Sequence, residues 1–141
     1  MLAERKYAVV IGLGKTGWSC AHYFRSIKRP FIVMDTRNSP PGLDEFIAAF
    51  PDIQVICGDL NEQLLLQADE IIVSPGVATS HAHLQLAMSH GVALIGDVEL
   101  FARQTTKPVI AITGSNAKST VTTLVGEMAC SAGLQVAVGG N

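Results

Sequence analysis

The stretch YAVVIGLGKTG, residues 7–17, decides the fold. Tyr7–Ile11 is a continuous apolar run, the pattern of a strand buried on both faces of a parallel sheet. GLGKTG (12–17) follows without a spacer, and Lys15–Ile27 reads as a helix with Cys20, Phe24 and Ile27 on one face. Strand, tight turn and helix in this order open a β-α-β unit. Glycines at such a turn let the backbone approach a ligand, and the helix N-terminus offers its free N–H groups to a diphosphate. Asp35 ends the next strand, where dinucleotide-binding folds place a ribose-binding acid. Taken alone, these residues point to a nucleotide ligand of the NAD type. They also permit a purely structural turn, because any tight β-α connection favours glycine.

Outward from this unit, strand and helix signals keep alternating. Phe31–Asp35, Ile53–Cys57, Glu70–Val73 and Val92–Ile95 read as further strands, with helical patches at Leu43–Phe50, Asn61–Gln67 and around Leu84, Ala87 and Met88. Gly91 closes the last of these. The expected fold is α/β, a compact five-stranded parallel sheet over residues 1–96. Gly14, Asp35 and Ser74 are expected on its carboxyl edge, because the loops they occupy follow strands one, two and four. Asp35-Thr36-Arg37 and Ser74-Pro75-Gly76 are candidate ligand loops there, each with a plain solvated turn as its alternative.

After Gly96 the pattern restarts, and 97–141 is read as a second domain. Asp97 can cap a short helix to about Gln104, Val109–Ile112 and Gln135–Val138 read as strands, and Lys118–Ala132 reads as a helix. Val121, Leu124, Val125, Met128, Ala129 and Ala132 repeat at helical spacing, and Gly133 ends the run. One β-α-β unit cannot cover both faces of a parallel sheet, so this domain reads as unfinished and the chain as the N-terminal portion of a longer protein. Between its first strand and its helix lies GSNAKST, 114–120. Such a loop can form a nest of backbone N–H groups for phosphate, with Lys118 as a charge on the outer phosphates and the Ser119 hydroxyl on Mg²⁺. The general phosphate-loop pattern places glycine where Ile112 and Ala117 stand, so the alternative is a Ser/Asn-rich turn that caps a helix.

Composition narrows the classes. The 141 residues are 48% hydrophobic and 16% charged with a net charge of −2, which gives no basic footprint for nucleic acid. No apolar run approaches the ~20 residues of a membrane helix, and the N-terminus lacks a signal-peptide pattern. Cys20, Cys57 and Cys130 are odd in number and widely spaced, as expected for free thiols in a reducing cytoplasm, and no histidine pattern marks one as a nucleophile. His81 and His83, two apart on a helix, would diverge rather than share a metal, and His22 and His90 read as surface residues.

The order GLGKTG, MDTR (34–37), SPGV (74–77), GDVELF (96–101), AITGSNAKST (111–120) and VGGN (138–141) resembles the start of the Mur ligase family, in its D-glutamate-adding branch. The likeness runs along the whole chain. It implies a Rossmann-like domain over 1–96 that holds the uridine diphosphate handle of UDP-N-acetylmuramoyl-L-alanine instead of NAD. It further implies that 97–141 begins a P-loop ATPase domain with its first β-α-β unit. By position, Gly14, Lys15 and Thr16 would meet the diphosphate, Asp35, Thr36 and Arg37 the uracil end, and Ser74 and Gly76 the sugar-diphosphate path. Asn141 would reach the substrate from the central domain. Gly114, Ser115, Asn116, Ala117, Lys118, Ser119 and Thr120 would cradle ATP, with Lys118 and Ser119 catalytic and Ser119 on Mg²⁺. The implied reaction is ATP-dependent amide formation with D-glutamate, in a cytoplasmic monomer, and the remaining machinery would lie downstream. The family pattern at the second loop is G-[TS]-N-G-K-[ST], so Ala117 is a departure. An alanine held there at φ > 0 would cost on the order of 1 kcal/mol, which is expected to weaken ATP binding. An NAD(P)-binding oxidoreductase or sensor domain and a non-catalytic nucleotide-binding module stand as alternatives.

Overall fold

A computed structural model describes residues 7–139 and divides the chain into two compact units, 1–103 and 104–141. The family-based reading places the domain boundary at 96/97, so the two divisions differ by the helix that follows Gly96.

The first unit alternates strand and helix. Its elements are β1 (Ala8–Ile11), α1 (Lys15–Ser26), β2 (Phe31–Asp35), α2 (Leu43–Ala49), β3 (Val55–Cys57), α3 (Glu62–Leu66), β4 (Glu70–Val73), α4 (Ala82–Ser89), β5 (Ala93–Ile95) and α5 (Asp97–Gln104). The five strands form one sheet in the order β3-β2-β1-β4-β5, every neighbouring pair parallel. The three inner strands are buried at every residue, which is why they read as unbroken apolar runs rather than alternating ones. β3 and β5, at the edges, are shorter and partly exposed.

Period-two alternation splits the buried side chains between two cores. Ala8, Val10, Phe31, Val33 and Ile72 pack on one face against Cys20, Ala21 and Phe24 of α1, Phe46 and Phe50 around α2, and Leu100 of α5. Val9, Ile11, Ile32, Met34, Ile71 and Val73 pack on the other against Leu65 of α3 and Leu84 and Ala87 of α4. Each fully buried large side chain in these layers contributes about 1.5–3 kcal/mol of burial free energy.

The register levels the carboxyl edge of the sheet. Ile11 stands opposite both Met34 and Val73, so β1, β2 and β4 end almost level. The chain leaves β1 toward β2 on one side, and β4 lies on the other, which makes the gap between β1 and β4 the topological switch point of the sheet.

In the second unit α6 (Lys118–Ser131) forms as expected from its periodicity. The strands expected at Val109–Ile112 and Gln135–Val138 do not form: neither segment is in a strand. A parallel strand needs a neighbour to take its ladder hydrogen bonds, and among the described residues of this unit neither run finds one. The apolar face of α6 is correspondingly open, with Leu124 54% and Met128 63% exposed. Gly126 is its one buried residue, lying against the Val138 side chain.

Candidate functional site

Gly12 hydrogen-bonds through its N–H to the Met34 carbonyl (2.8 Å), and Ser74 does the same to the Ile11 carbonyl (2.9 Å). The GLGKTG turn is therefore stitched to the ends of β2 and β4. Its glycines divide by what surrounds them. A Cβ on Gly12 would fall 2.7 Å from Ser74 Oγ, and one on Gly17 would fall 2.3 Å from the Gly12 carbonyl oxygen, so both are required by the turn itself. Gly14, Gly76 and Gly96 have nothing within 4 Å of an added Cβ. Internal packing does not ask for glycine at these three, and all follow strand ends on the same edge, where a close-approaching ligand would need them small. Gly14 also precedes the first turn of α1, which carries no side-chain cap and no acidic residue. That turn presents backbone N–H groups and the positive end of the helix dipole.

Asp35 and Arg37 stand beside this turn. Asp35 is only 2% exposed, yet stays charged through four hydrogen bonds. Its Oδ2 accepts from the Leu13 N–H (2.7 Å) and Arg37 Nη2 (2.7 Å), and its Oδ1 from the Arg37 N–H (2.9 Å) and Nε (2.8 Å). Burial pushes its carboxyl up, but the hydrogen bonds from Arg37 and Leu13 and the guanidinium charge outweigh burial and bring the pKa down to about 2. The Gly58 N–H, just past β3, donates to the carbonyls of Asp35 and Arg37 and fixes the loop from the other side. Thr36 and Arg37 are exposed.

One further group joins the edge that is not among the candidate ligand residues. The sequence pattern marks Asp97 only as a helix cap; its Oδ2 accepts a hydrogen bond from the Thr16 hydroxyl (3.0 Å). No local pattern links residues so far apart in sequence. A cavity of about 220 Å³ lies between the ends of β4 and β5, lined by Ser74, Pro75, Val77, Thr79, Leu94 and Gly96 among others. Burial first, then the charge of Asp97, pushes the Cys20 thiol up to about 11, and burial also raises Cys57, so neither is poised as a thiolate.

The first unit thus brings Gly14, Lys15, Thr16, Asp35, Thr36, Arg37, Ser74 and Gly76 to one edge. Gly114–Thr120 lies in the second unit. There Ala117 occupies the left-handed region (φ 59°, ψ 12°) immediately before α6, and Lys118 Nζ donates to the Gly114 carbonyl at 2.7 Å. Asn141 lies outside the described residues. Among the described residues no three His, Cys, Asp or Glu side chains converge on a metal position. His81 caps α4 instead of lying in it, so its ring sits 5.3 Å from that of His83 and the two do not diverge as helical spacing predicts, while they face Asp59 and Glu62. No helix of the described residues is long and apolar enough to cross a membrane.

An open parallel sheet with a glycine turn and an uncapped helix at its switch point, and an acid–arginine pair beside them at the end of β2, defines the class: a Rossmann-like α/β domain. The chain belongs to the Mur ligase family, matching the family model for the Mur ligase MurD-like N-terminal domain over residues 6–96. It is 50% identical over 141 residues to UDP-N-acetylmuramoylalanine–D-glutamate ligase of Pseudomonas fluorescens (strain Pf-5), covering all of this chain and 32% of that protein. The ligase of the same name from Hahella chejuensis is 53% identical over 141 residues, with 31% of its length covered. Among solved structures, a pseudomurein peptide ligase type C from Methanothermus fervidus is similar, with a TM-score of 0.57 and 27% identity. That match covers 92% of this chain and 27% of the other. The chain spans about a third of the length of the curated relatives it matches.

Proposed function

We propose that the protein acts in ATP-dependent addition of D-glutamate to UDP-N-acetylmuramoyl-L-alanine, a step of peptidoglycan synthesis in the cytoplasm. Residues 1–96 would be its uridine-nucleotide-binding domain, and 97–141 the start of its ATP-binding domain. The observation that carries this reading is the convergence of the glycine turn, Asp35–Arg37 and Ser74–Gly76 on one sheet edge. Over its whole length the chain is 50% identical to a protein named as UDP-N-acetylmuramoylalanine–D-glutamate ligase. The uncapped first turn of α1, at Lys15 and Thr16, would take the diphosphate on its backbone N–H groups. Thr36 and Arg37 would face the uracil end with Asp35 behind them, and Ser74 and Gly76 would line the path to the sugar.

In the reaction the γ-phosphoryl group of ATP passes to the L-alanyl carboxylate, the amine of D-glutamate attacks the resulting acyl phosphate, and phosphate leaves. Lys118 would offset charge that develops on the transferring group, beside backbone N–H groups of 114–120 and the N-terminus of α6. The left-handed turn at Ala117 suits such a nest, because an αR–αL alternation aims successive N–H groups at one point. Mg²⁺ fits less fully. Ser119 offers one hydroxyl and no carboxylate cluster joins it among the described residues, so the other ligands would come from ATP and from residues elsewhere in the full-length protein.

Calorimetry with UDP, UDP-N-acetylmuramoyl-L-alanine and NADH tests the reading. Binding of both uridine ligands without NADH is the expected outcome. NADH binding with no response to either uridine ligand would return the chain to the oxidoreductase class.

A further inference from the structure

Asp35 occupies the place from which a dinucleotide-binding sheet offers a carboxylate to a ribose 2′-hydroxyl. An ionised carboxylate has about four lone-pair positions. Here Leu13 N–H, Arg37 N–H, Arg37 Nε and Arg37 Nη2 already use them, at 2.7–2.9 Å. The group is also almost wholly out of solvent. A ribose hydroxyl would have to displace a donor to reach it. The two backbone donors are fixed by their turns, so the displaceable donor is the Arg37 guanidinium, whose side chain is 51% exposed. The Leu13 bond has a second effect: it withdraws one N–H of the glycine turn from any pyrophosphate.

We propose that Arg37 is a specificity-determining residue. By occupying Asp35 it closes the ribose-diol site that an NAD-type ligand requires and presents a guanidinium at the end of β2 in its place. The closed site is a property of the Asp35–Arg37–Leu13 contacts. Its use to favour a uridine nucleotide over a dinucleotide rests on the function proposed above.

The test titrates NADH, an NADH analogue lacking the adenosine-ribose 2′-hydroxyl, NADPH and UDP into the wild-type chain, Arg37→Ala and Arg37→Gln. Trp18, in the first turns of α1, reports folding of each variant by its fluorescence. A recovered hydrogen bond from a hydroxyl to a charged acceptor corresponds to roughly a tenfold or greater gain in affinity. NADH is expected to gain that much in either folded variant, while the 2′-deoxy analogue gains little. Unchanged NADH affinity in the folded variants would overturn the proposal, and so would an equal gain for the 2′-deoxy analogue. Wild-type binding of NADPH that is lost in both variants would also overturn it, because Arg37 would then be reading a 2′-phosphate. If UDP fails to bind the wild type while the variants gain NADH, the closed ribose site stands and the uridine function falls. Arg37→Gln removes the guanidinium fork while keeping a neutral polar side chain, and serves if Arg37→Ala does not fold.

Discussion

The charge on Asp35 is held against its burial by four donors, three from Arg37 two residues on and one from Leu13 of the adjacent glycine turn. Its folded pKa of about 2 lies below the ordinary 3.8, so folding favours the ionised form. The stability this adds is fully present above the unfolded value and is lost as pH falls toward 2. A shift of nearly two pKa units corresponds to about 2 kcal/mol. Asp35→Asn should therefore lower unfolding free energy by about that much at pH 7, and the gap to wild type should close between pH 4 and pH 2 in urea titrations. A gap that stays constant with pH would mean that the carboxylate contributes by shape alone. Ala117 poses a different question. The structure holds it at φ 59°, so the cost of that conformation is carried by the fold. The sequence pattern alone charges the same cost to ATP affinity. Ala117→Gly should instead raise stability slightly, by about 0.5 kcal/mol, since relief of the left-handed strain is partly offset by glycine's freedom when unfolded. Its effect on ATP affinity should come from the missing Cβ alone and stay below about fivefold in calorimetry. A gain of tenfold or more would show that the loop must shift further toward φ > 0 on binding.

α5 shows how an element can be fastened without much hydrophobic area. Leu100 is its one buried residue, and polar contacts hold it near both ends. Asp97 accepts from Thr16 at the carboxyl edge, while Arg103 reaches Glu70, the first residue of β4, at 3.1 Å. Glu70 also receives Arg29 at 2.5 Å, and Arg29 lies over the Phe24 ring. The side chain of Arg29 is 29% exposed and that of Arg103 46%, so solvent screens the second pair more. Arg29→Ala should cost about 1–3 kcal/mol in urea denaturation and Arg103→Ala under about 1. The reverse order would place the main anchor of Glu70 on α5. The strength of the sequence signal follows burial at this scale. β2 and β4 were legible to the residue because they are apolar on both faces, whereas the edge strands β3 and β5 came out shorter than their apolar runs. Val109–Ile112 carried as good a strand pattern as either, but a pattern describes only one partner of a ladder. The positions of Asp35 and the three candidate ligand loops were likewise readable from strand ends. Capture of Asp35 by Arg37, and of Thr16 by Asp97, depended on turn geometry and on long-range packing that no spacing encodes.

The two compact units differ in how much of their structure is protected by burial, and that difference should be measurable amide by amide. In the first unit β1, β2 and β4 are buried at every residue and hydrogen-bonded in a continuous parallel ladder. Amides in such strands exchange only through sub-global or global opening, which for a domain of this kind costs on the order of 5–15 kcal/mol. α6 has 14 residues and a single buried one, Gly126. Helices of about that length are marginal in water without tertiary support, and this one includes β-branched Val121, Thr122 and Thr123 in its first half, which lowers its intrinsic propensity. Its opening should therefore cost about 1 kcal/mol, giving protection factors below roughly ten. Hydrogen exchange followed by NMR on the 141-residue chain should find α6 exchanged within the first minutes while the amides of β1, β2 and β4 persist for hours. In a full-length relative, α6 should become protected if its open face, with Val121, Leu124 and Met128, is where the remainder of that protein packs. Strong protection of α6 in the 141-residue chain alone would mean that its apolar face is already covered, by self-association or by a packing in solution different from the one described. Sedimentation at several concentrations separates those two cases, because only self-association makes the protection depend on how much protein is present.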